Sequence, residues 1–163
     1  MGTNISIEDI VNEYYEIVYS YIYRMIGNIY DAQDITQNVF IKIKTNLHRY
    51  DKNKATIKTW MYKISTNTVI NFTKARKDYL IDNIEFIPST DDVLGDLLEE
   101  EQHNIVTSAI VKHLKAKHKK IILLYIFSEL TPKEISHSMS IPLKTVYNAI
   151  YLSIEKLRRV LEV

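Results

Sequence analysis

A chain of 163 residues, 46% of them hydrophobic, can bury one ordinary core or two small ones and is not disordered throughout. It holds no cysteine, which excludes disulfides, thiolate metal sites and a thiol nucleophile. The net charge of +1 hides a segregation: residues 1–77 carry +4, residues 78–111 carry −9 with no Lys or Arg, and residues 112–163 carry +6.

Two basic blocks around an acidic one point to two modules that touch a polyanion, joined by a segment that avoids it. Three Gly and three Pro are few, which favours long helices over a turn-rich sheet fold. No apolar run is long enough to span a bilayer and no signal peptide is visible. The expectation is a soluble, cytoplasmic, all-α protein without membrane insertion.

Residues 5–27 read as one or two helices, with Ile10, Tyr14, Ile17, Val18, Tyr21, Ile22 and Met25 recurring at intervals of three and four. Ser6 with Asp9 caps the start, and Gly27-Asn28 is the stop. Asp31 to Leu47 reads as a second amphipathic helix, with Asp31 as cap and Ile35, Val39, Phe40, Ile43 and Leu47 as its buried stripe. Its polar face, with Gln33, Asp34, Gln37 and Asn38, lacks the Glu-Lys pairs of a merely soluble surface and suits a docking partner. Residues 48–56 form a basic loop carrying Tyr50, Lys52 and Lys54.

Residues 57–77 follow, starting at Thr56 or Thr59. Ile57, Met61, Ile64, Thr68 and Phe72 fall on one side of this helix, with Trp60 and Val69 beside them. Lys63, Asn67, Asn71 and Lys74 fall on another, flanked by Lys58, Thr66, Arg76 and Lys77. Cations suit phosphates and amides suit base edges, so the second stripe has the composition of a nucleic-acid-facing helix. Tyr50 and the loop cations would add a stacking ring and phosphate contacts for unpaired bases. The alternatives are a solvated face, and Tyr50 as a lid on the local core.

The helical pattern lapses after residue 78. Pro88 and Gly95 break the chain, and residues 80–96 read as a linker with little structure. A helix resumes near Leu97 and runs toward Leu114. Ile121 to Phe127 is a buried helix. Thr131, Pro132 and Glu134 then combine a cap, a proline at the first helical position and a capping box. Ile135 and Met139 face inward, Ser140-Ile141-Pro142 turns, and a further capped helix buries Val146, Ile150, Ile154, Leu157 and Leu161. A short capped helix, a turn and a longer helix in a basic block form a helix-turn-helix.

Two stretches resemble one family, the bacterial sigma factors of RNA polymerase, and within it the small extracytoplasmic-function group. Asp31-Ala-Gln-Asp-Ile-Thr-Gln-Asn-Val-Phe40 is similar to the family's D-A-E-D-L-x-Q-E-x-F helix, which docks on the coiled coil of the polymerase clamp. Thr59-Trp-Met-Tyr-Lys-Ile-Ser-Thr-Asn-Thr-Val-Ile-Asn71 looks like its T-W-L-Y-R-I-A-x-N-x-x-x-N helix, which reads the minus-ten element. The C-terminal block resembles the domain that binds the minus-thirty-five element.

The resemblance implies a polymerase-binding and minus-ten-reading domain over 1–79, an acidic linker over 80–100 and a helix-turn-helix domain over 101–163. It implies polymerase contacts at Gln33, Asp34, Gln37 and Asn38. Minus-ten contacts would come from Tyr50, Lys52, Lys54, Lys58, Trp60, Lys63, Asn67, Asn71 and Lys74. Minus-thirty-five contacts would come from Lys133, Lys144, Thr145, Tyr147, Asn148 and Tyr151. The partners implied are core RNA polymerase, through its clamp coiled coil and flap, and promoter DNA; an anti-sigma factor is left open. The linker would thread the RNA exit path.

The chain departs from the pattern at Gln33 and Asn38, where Glu is usual, and at Ser140, where Gly is usual. Ala149 and Ser153 stand where Arg or Ala is common, so the recognition helix is weakly basic. The five histidines have no metal-ligand spacing and no Gly-rich phosphate loop is present, so neither an enzyme, a cofactor nor a metal site is expected. Two other classes stay open. One is a helix-turn-helix regulator that acts without polymerase docking. The other is a sigma-like decoy that holds polymerase without reading DNA.

Overall fold

The computed structural model describes the backbone of residues 5–82 and 97–162, and the side chains of 5–76 and 105–162. Among the described residues there is no strand. Seven helices follow in order: α1 Ile7–Ile26, α2 Ile29–Asn46, α3 Ile57–Asp82, α4 Leu97–His113, α5 Ala116–Phe127, α6 Pro132–Met139 and α7 Leu143–Leu161. The all-α reading holds. The acidic segment read as a linker lies mostly outside the described residues, and α3 runs on to Asp82, beyond the expected 57–77 span.

Local chemistry explains the helix ends. The Ser6 hydroxyl accepts the Asp9 N–H at 3.1 Å, and Gly27 closes α1 at φ 73°, a left-handed position that glycine adopts without strain. Asn28, not Asp31, caps α2: its side-chain oxygen accepts the Asp31 N–H at 3.0 Å. The Asp31 carboxylate instead pairs with Arg76 of α3, tying the start of α2 to the far part of α3. Thr56 begins α3, its hydroxyl accepting from the Thr59 N–H. The capping box of Thr131 and Glu134 is complete. Its hydrogen bonds from Thr131 hold the Glu134 carboxyl below the usual range. The expected cap on α7 is absent, because Pro142 precedes that helix and offers no side-chain acceptor.

Helices α1, α2 and α3 pack on one another, and α5, α6 and α7 do the same, with α4 and α5 also lying against α1 and α3. One cluster of buried side chains runs through both groups, from Ile10, Tyr21, Met25 and Val39 through Met61 and Val69 to Ile110, Ile121, Leu124 and Val146. At about 25 cal/mol per Å² of apolar surface, such burial is the main stabilising term. Among the described residues, polar contacts also tie α4 and α6 to the first group. Thr107 Oγ1 donates to the Met25 carbonyl at 2.7 Å, and Lys63 Nζ donates to the Ser138 carbonyl at 2.8 Å.

Helix α3 is buried on more than one side. Met61, Tyr62, Ser65, Thr66, Thr68, Val69 and Ile70 are all buried. Thr66, expected beside the polar stripe, faces the core instead, because its hydroxyl lies 2.6 Å from that of Tyr21 and donates to the Tyr62 carbonyl. Tyr21 is fully buried, and that desolvation pushes its phenol far above the ordinary range. Three other α1 tyrosines form a partly exposed ladder: Tyr15 stacks on Tyr19 and on Phe40, and Tyr19 on Tyr23.

In the second group, Ala149 and Ser153 are buried on the inner face of α7. Buried there, these two positions face the core and not a DNA groove. Ser140 adopts φ 53° at the α6–α7 turn, where Ser136 Oγ donates to the Ile141 carbonyl at 2.6 Å and holds the turn shut. A groove between the start of α5 and the end of α7 is lined by Leu114, Lys115, His118, Leu152, Glu155, Lys156, Arg159 and Val160. Partial burial, then Lys115, Lys117 and Lys156, hold the His118 imidazole below its ordinary value.

Two predictions follow from this packing. Tyr21→Phe removes one end of a buried hydroxyl pair while Thr66 keeps its carbonyl partner. Urea unfolding should therefore lose about 0.5–1.5 kcal/mol of stability, and an unchanged midpoint would mean that the pair contributes nothing. For His118 the unfolded chain takes up its proton first as pH falls. Its neutral form thus contributes stability that is present above about pH 6.5 and lost as pH falls through the lowered folded value. His118→Asn should flatten the pH dependence of unfolding between about pH 7 and pH 5; an unaltered slope would contradict this.

Candidate nucleic-acid and polymerase interfaces

Three solvent-facing surfaces carry the residues singled out in the sequence. On α2, the inward stripe of Ala32, Ile35, Thr36, Val39, Phe40 and Ile43 fixes the rotation of the helix. The opposite face then presents Gln33, Asp34, Gln37 and Asn38, all exposed. Two apolar side chains accompany them: Tyr30 is 78% exposed and Ile41 63% exposed. The sequence reading did not include these two, although an apolar residue at a polar helix position is the signal that would have found them.

The second surface belongs to α3. Asn67, Asn71 and Lys74 are exposed in one stripe with half-buried Lys63, and Lys58 is exposed near the start of the helix. The Lys58 ammonium lies 5.7 Å from the centre of the Tyr62 ring. Lys52 and Lys54 are exposed on the preceding loop. That loop is held by Tyr50, whose hydroxyl donates to the Ala55 carbonyl at 3.0 Å and whose ring lies 5.3 Å from that of half-buried Trp60. Partial burial raises the Tyr50 phenol. Tyr50 and Trp60 thus make an aromatic pair beside the stripe, separate from the surroundings of Asn67.

Asn67 lies in a cavity of about 200 Å³ lined by Lys63, Thr66, Asn67, Lys120, Leu124 and Met139. Half of that lining comes from α5 and α6. Desolvation, then the charges of Lys120 and Lys54, lower the Lys63 ammonium from its usual value. Lys120 and its neighbours were read in the sequence only as a lead into α5. Nothing in their spacing announces that they meet α3, since the contact spans 75 residues between Lys63 and Ser138.

The third surface is the start of α7 with α6. Lys133, Lys144, Tyr147, Asn148 and Tyr151 are exposed and Thr145 is half-buried. Val146, Ala149, Ile150 and Ser153 point inward, so the outward face is two tyrosines, an amide and one lysine. Such a face offers hydrogen bonds and ring contacts to a groove, with little charge for phosphates. Among the described residues no cluster of three or more His, Asp or Glu could hold a metal ion, and no helix is long and apolar enough to cross a membrane.

Residues 10–78, which contain most of α1, all of α2 and most of α3, match the family description Sigma-70 region 2. The chain is 31% identical to the ECF RNA polymerase sigma factor SigW of Bacillus subtilis, over 97% of this chain and 90% of that one. Two solved structures share the fold. CnrH in complex with the cytosolic domain of CnrY has a TM-score of 0.60 at 17% identity, over 99% of this chain and 90% of that one. The sigma factor RpoE in complex with the anti-sigma factor NepR, from Bartonella quintana, has a TM-score of 0.57 at 15% identity, over 96% of each chain. With its Asp31–Phe40 helix exposed on one side of α2 and its Thr59–Asn71 stripe on α3, the chain belongs to the sigma-70 family, as a sigma factor of the extracytoplasmic-function type.

Proposed function

We propose that this chain binds core RNA polymerase through the exposed face of α2 and directs it to promoters by reading minus-ten DNA with the α3 stripe. The observation that carries this reading is the stripe of amides and cations on α3, exposed Asn67, Asn71 and Lys74 with half-buried Lys63, and exposed Lys58 near the helix start. Phosphates meet the lysines and unpaired bases meet the amides. Tyr50 and Trp60 supply ring surface beside the stripe. Lys133, Lys144, Thr145, Tyr147, Asn148 and Tyr151 would enter the major groove at minus-thirty-five, with few phosphate contacts to add affinity. Residues 1–79 and 101–163 are the two working modules, joined by the acidic stretch 80–100.

In this reading the chain performs no chemistry of its own, and phosphodiester formation belongs to the polymerase. It works in the cytoplasm and needs neither metal nor cofactor. The polymerase flap is a second contact, for the 101–163 module. An anti-sigma factor is a further partner of the same reading, as it is for the RpoE structure above. One consequence is steric. Lys63 is hydrogen-bonded to Ser138, and Asn67 is walled by Lys120, Leu124 and Met139. Lys63 can turn to promoter DNA only by releasing Ser138, whereas Asn67 is exposed at the rim of the contact with α5 and α6.

Promoter-dependent run-off transcription with core polymerase tests the whole reading, and two substitutions test its parts. Asp34→Arg puts a cation on the docking face and touches no buried residue. It should weaken association with core polymerase at least about tenfold, or 1.4 kcal/mol, with helicity unchanged; undiminished association would remove docking from this face. Asn67→Ala should keep stability within about 0.5 kcal/mol. It should cost promoter opening about 1–3 kcal/mol and relax preference at one minus-ten position. A loss of fold stability with equal effects on every promoter would make Asn67 a structural amide.

A further inference from the structure

The cavity between α3 and α5 is lined by two lysines, an amide, a threonine, a leucine and a methionine, with no acidic side chain. Lys63 comes from the first group of helices and Lys120 from the second. Lys54 adds a third positive charge from the loop before α3. Among the described residues none of the three is in an ion pair. The Thr66 hydroxyl is engaged by Tyr21 and by the Tyr62 carbonyl. The donors left to a guest are therefore the remaining protons of Lys63, the Lys120 ammonium and the Asn67 amide. Leu124 and Met139 supply an apolar wall on one side.

Like charges held together across an interface push it apart unless an anion lies between them. We propose that this cavity is a phosphate site, in which free phosphate or a small phosphate monoester bridges Lys63 and Lys120 and clamps α5 against α3. A tetrahedral dianion presents enough acceptors for two ammonium groups and one amide at once. The site exists only while the two groups of helices are closed. By linkage, its ligand stabilises the closed arrangement and opposes any event that needs α3 uncovered. The regulatory consequence rests on the promoter-reading function proposed above; the site itself does not.

The test uses the intact chain with inorganic phosphate against chloride at matched ionic strength, and follows thermal unfolding. Saturating phosphate should raise the midpoint by about 2–6 °C over chloride. Lys120→Gln, at an exposed position outside the proposed DNA and polymerase contacts, should lose most of that increment. Lys156→Gln, on the other side of the helix-turn-helix group, should retain it. A second arm replaces phosphate with glycerol phosphate, which separates a free-anion site from one that accepts a monoester. The proposal is overturned if phosphate acts no better than chloride, or if all three proteins respond alike, as general salting effects would have them do. A chain that answers phosphate yet supports no transcription loses the promoter-reading function and keeps the site. A chain that supports transcription with no phosphate response loses only the site.

Discussion

The buried pairing of Tyr21 with Thr66 sets the rotation of α3, and the interfaces are arranged around that setting. With Thr66 pinned to the core, the helical repeat of about 100° per residue puts Lys63 about 60° round the axis, Lys74 about 80°, Asn67 about 100° and Asn71 about 140°. The four side chains therefore share one stripe while Met61, Tyr62, Ser65 and Val69 close the core. The small hydroxyl residues Ser65, Thr66 and Thr68 bond back to carbonyls of their own helix, which satisfies their polar atoms and lets α3 be buried on several sides. The bond from Lys42 to Thr68 and the pairing of Arg76 with Asp31 hold α2 to the same helix.

This arrangement places the docking face and the reading stripe on one rigid group of helices. α2 turns its apolar stripe toward α1 and α3 and leaves Gln33, Asp34, Gln37 and Asn38 free for a partner. α3 is fixed by the same core. A partner bound to α2 would thus hold α3 at a defined orientation, which suits a subunit that aims a polymerase at DNA. The second group is joined to the first by a covered contact at Lys63 and Ser138 as well as by apolar packing. Lys63 cannot serve DNA while it is bonded to Ser138.

Much of this was legible in the residues. Local signals read well because they are local: Ser6 with Asp9, Gly27, and Thr131 with Glu134 act within three or four positions. The periodic cores of α1, α2, α5 and α7 read well for the same reason. Thr66 was misassigned because a threonine on a helix looks polar until a buried tyrosine 45 residues away claims its hydroxyl. Asn28 and Asp31 both have capping side chains, and only geometry shows that the helix starts early enough for Asn28 to accept the Asp31 N–H. Ala149 and Ser153 seemed to weaken a DNA helix, whereas they lie on its buried side. The wall around Asn67 was out of reach, since Lys120, Leu124 and Met139 meet α3 only through tertiary packing.

The account turns on α3 exchanging one neighbour for another. Since the chain has no cysteine, a pair of spin labels can be introduced at Asn12→Cys on α1 and His137→Cys on α6, both exposed. Their separation should be single-valued in the free chain, and clearly longer with core polymerase and promoter DNA. An unchanged separation in a transcriptionally active promoter complex would contradict the account, because Lys63 would then remain bonded to Ser138 while DNA is read.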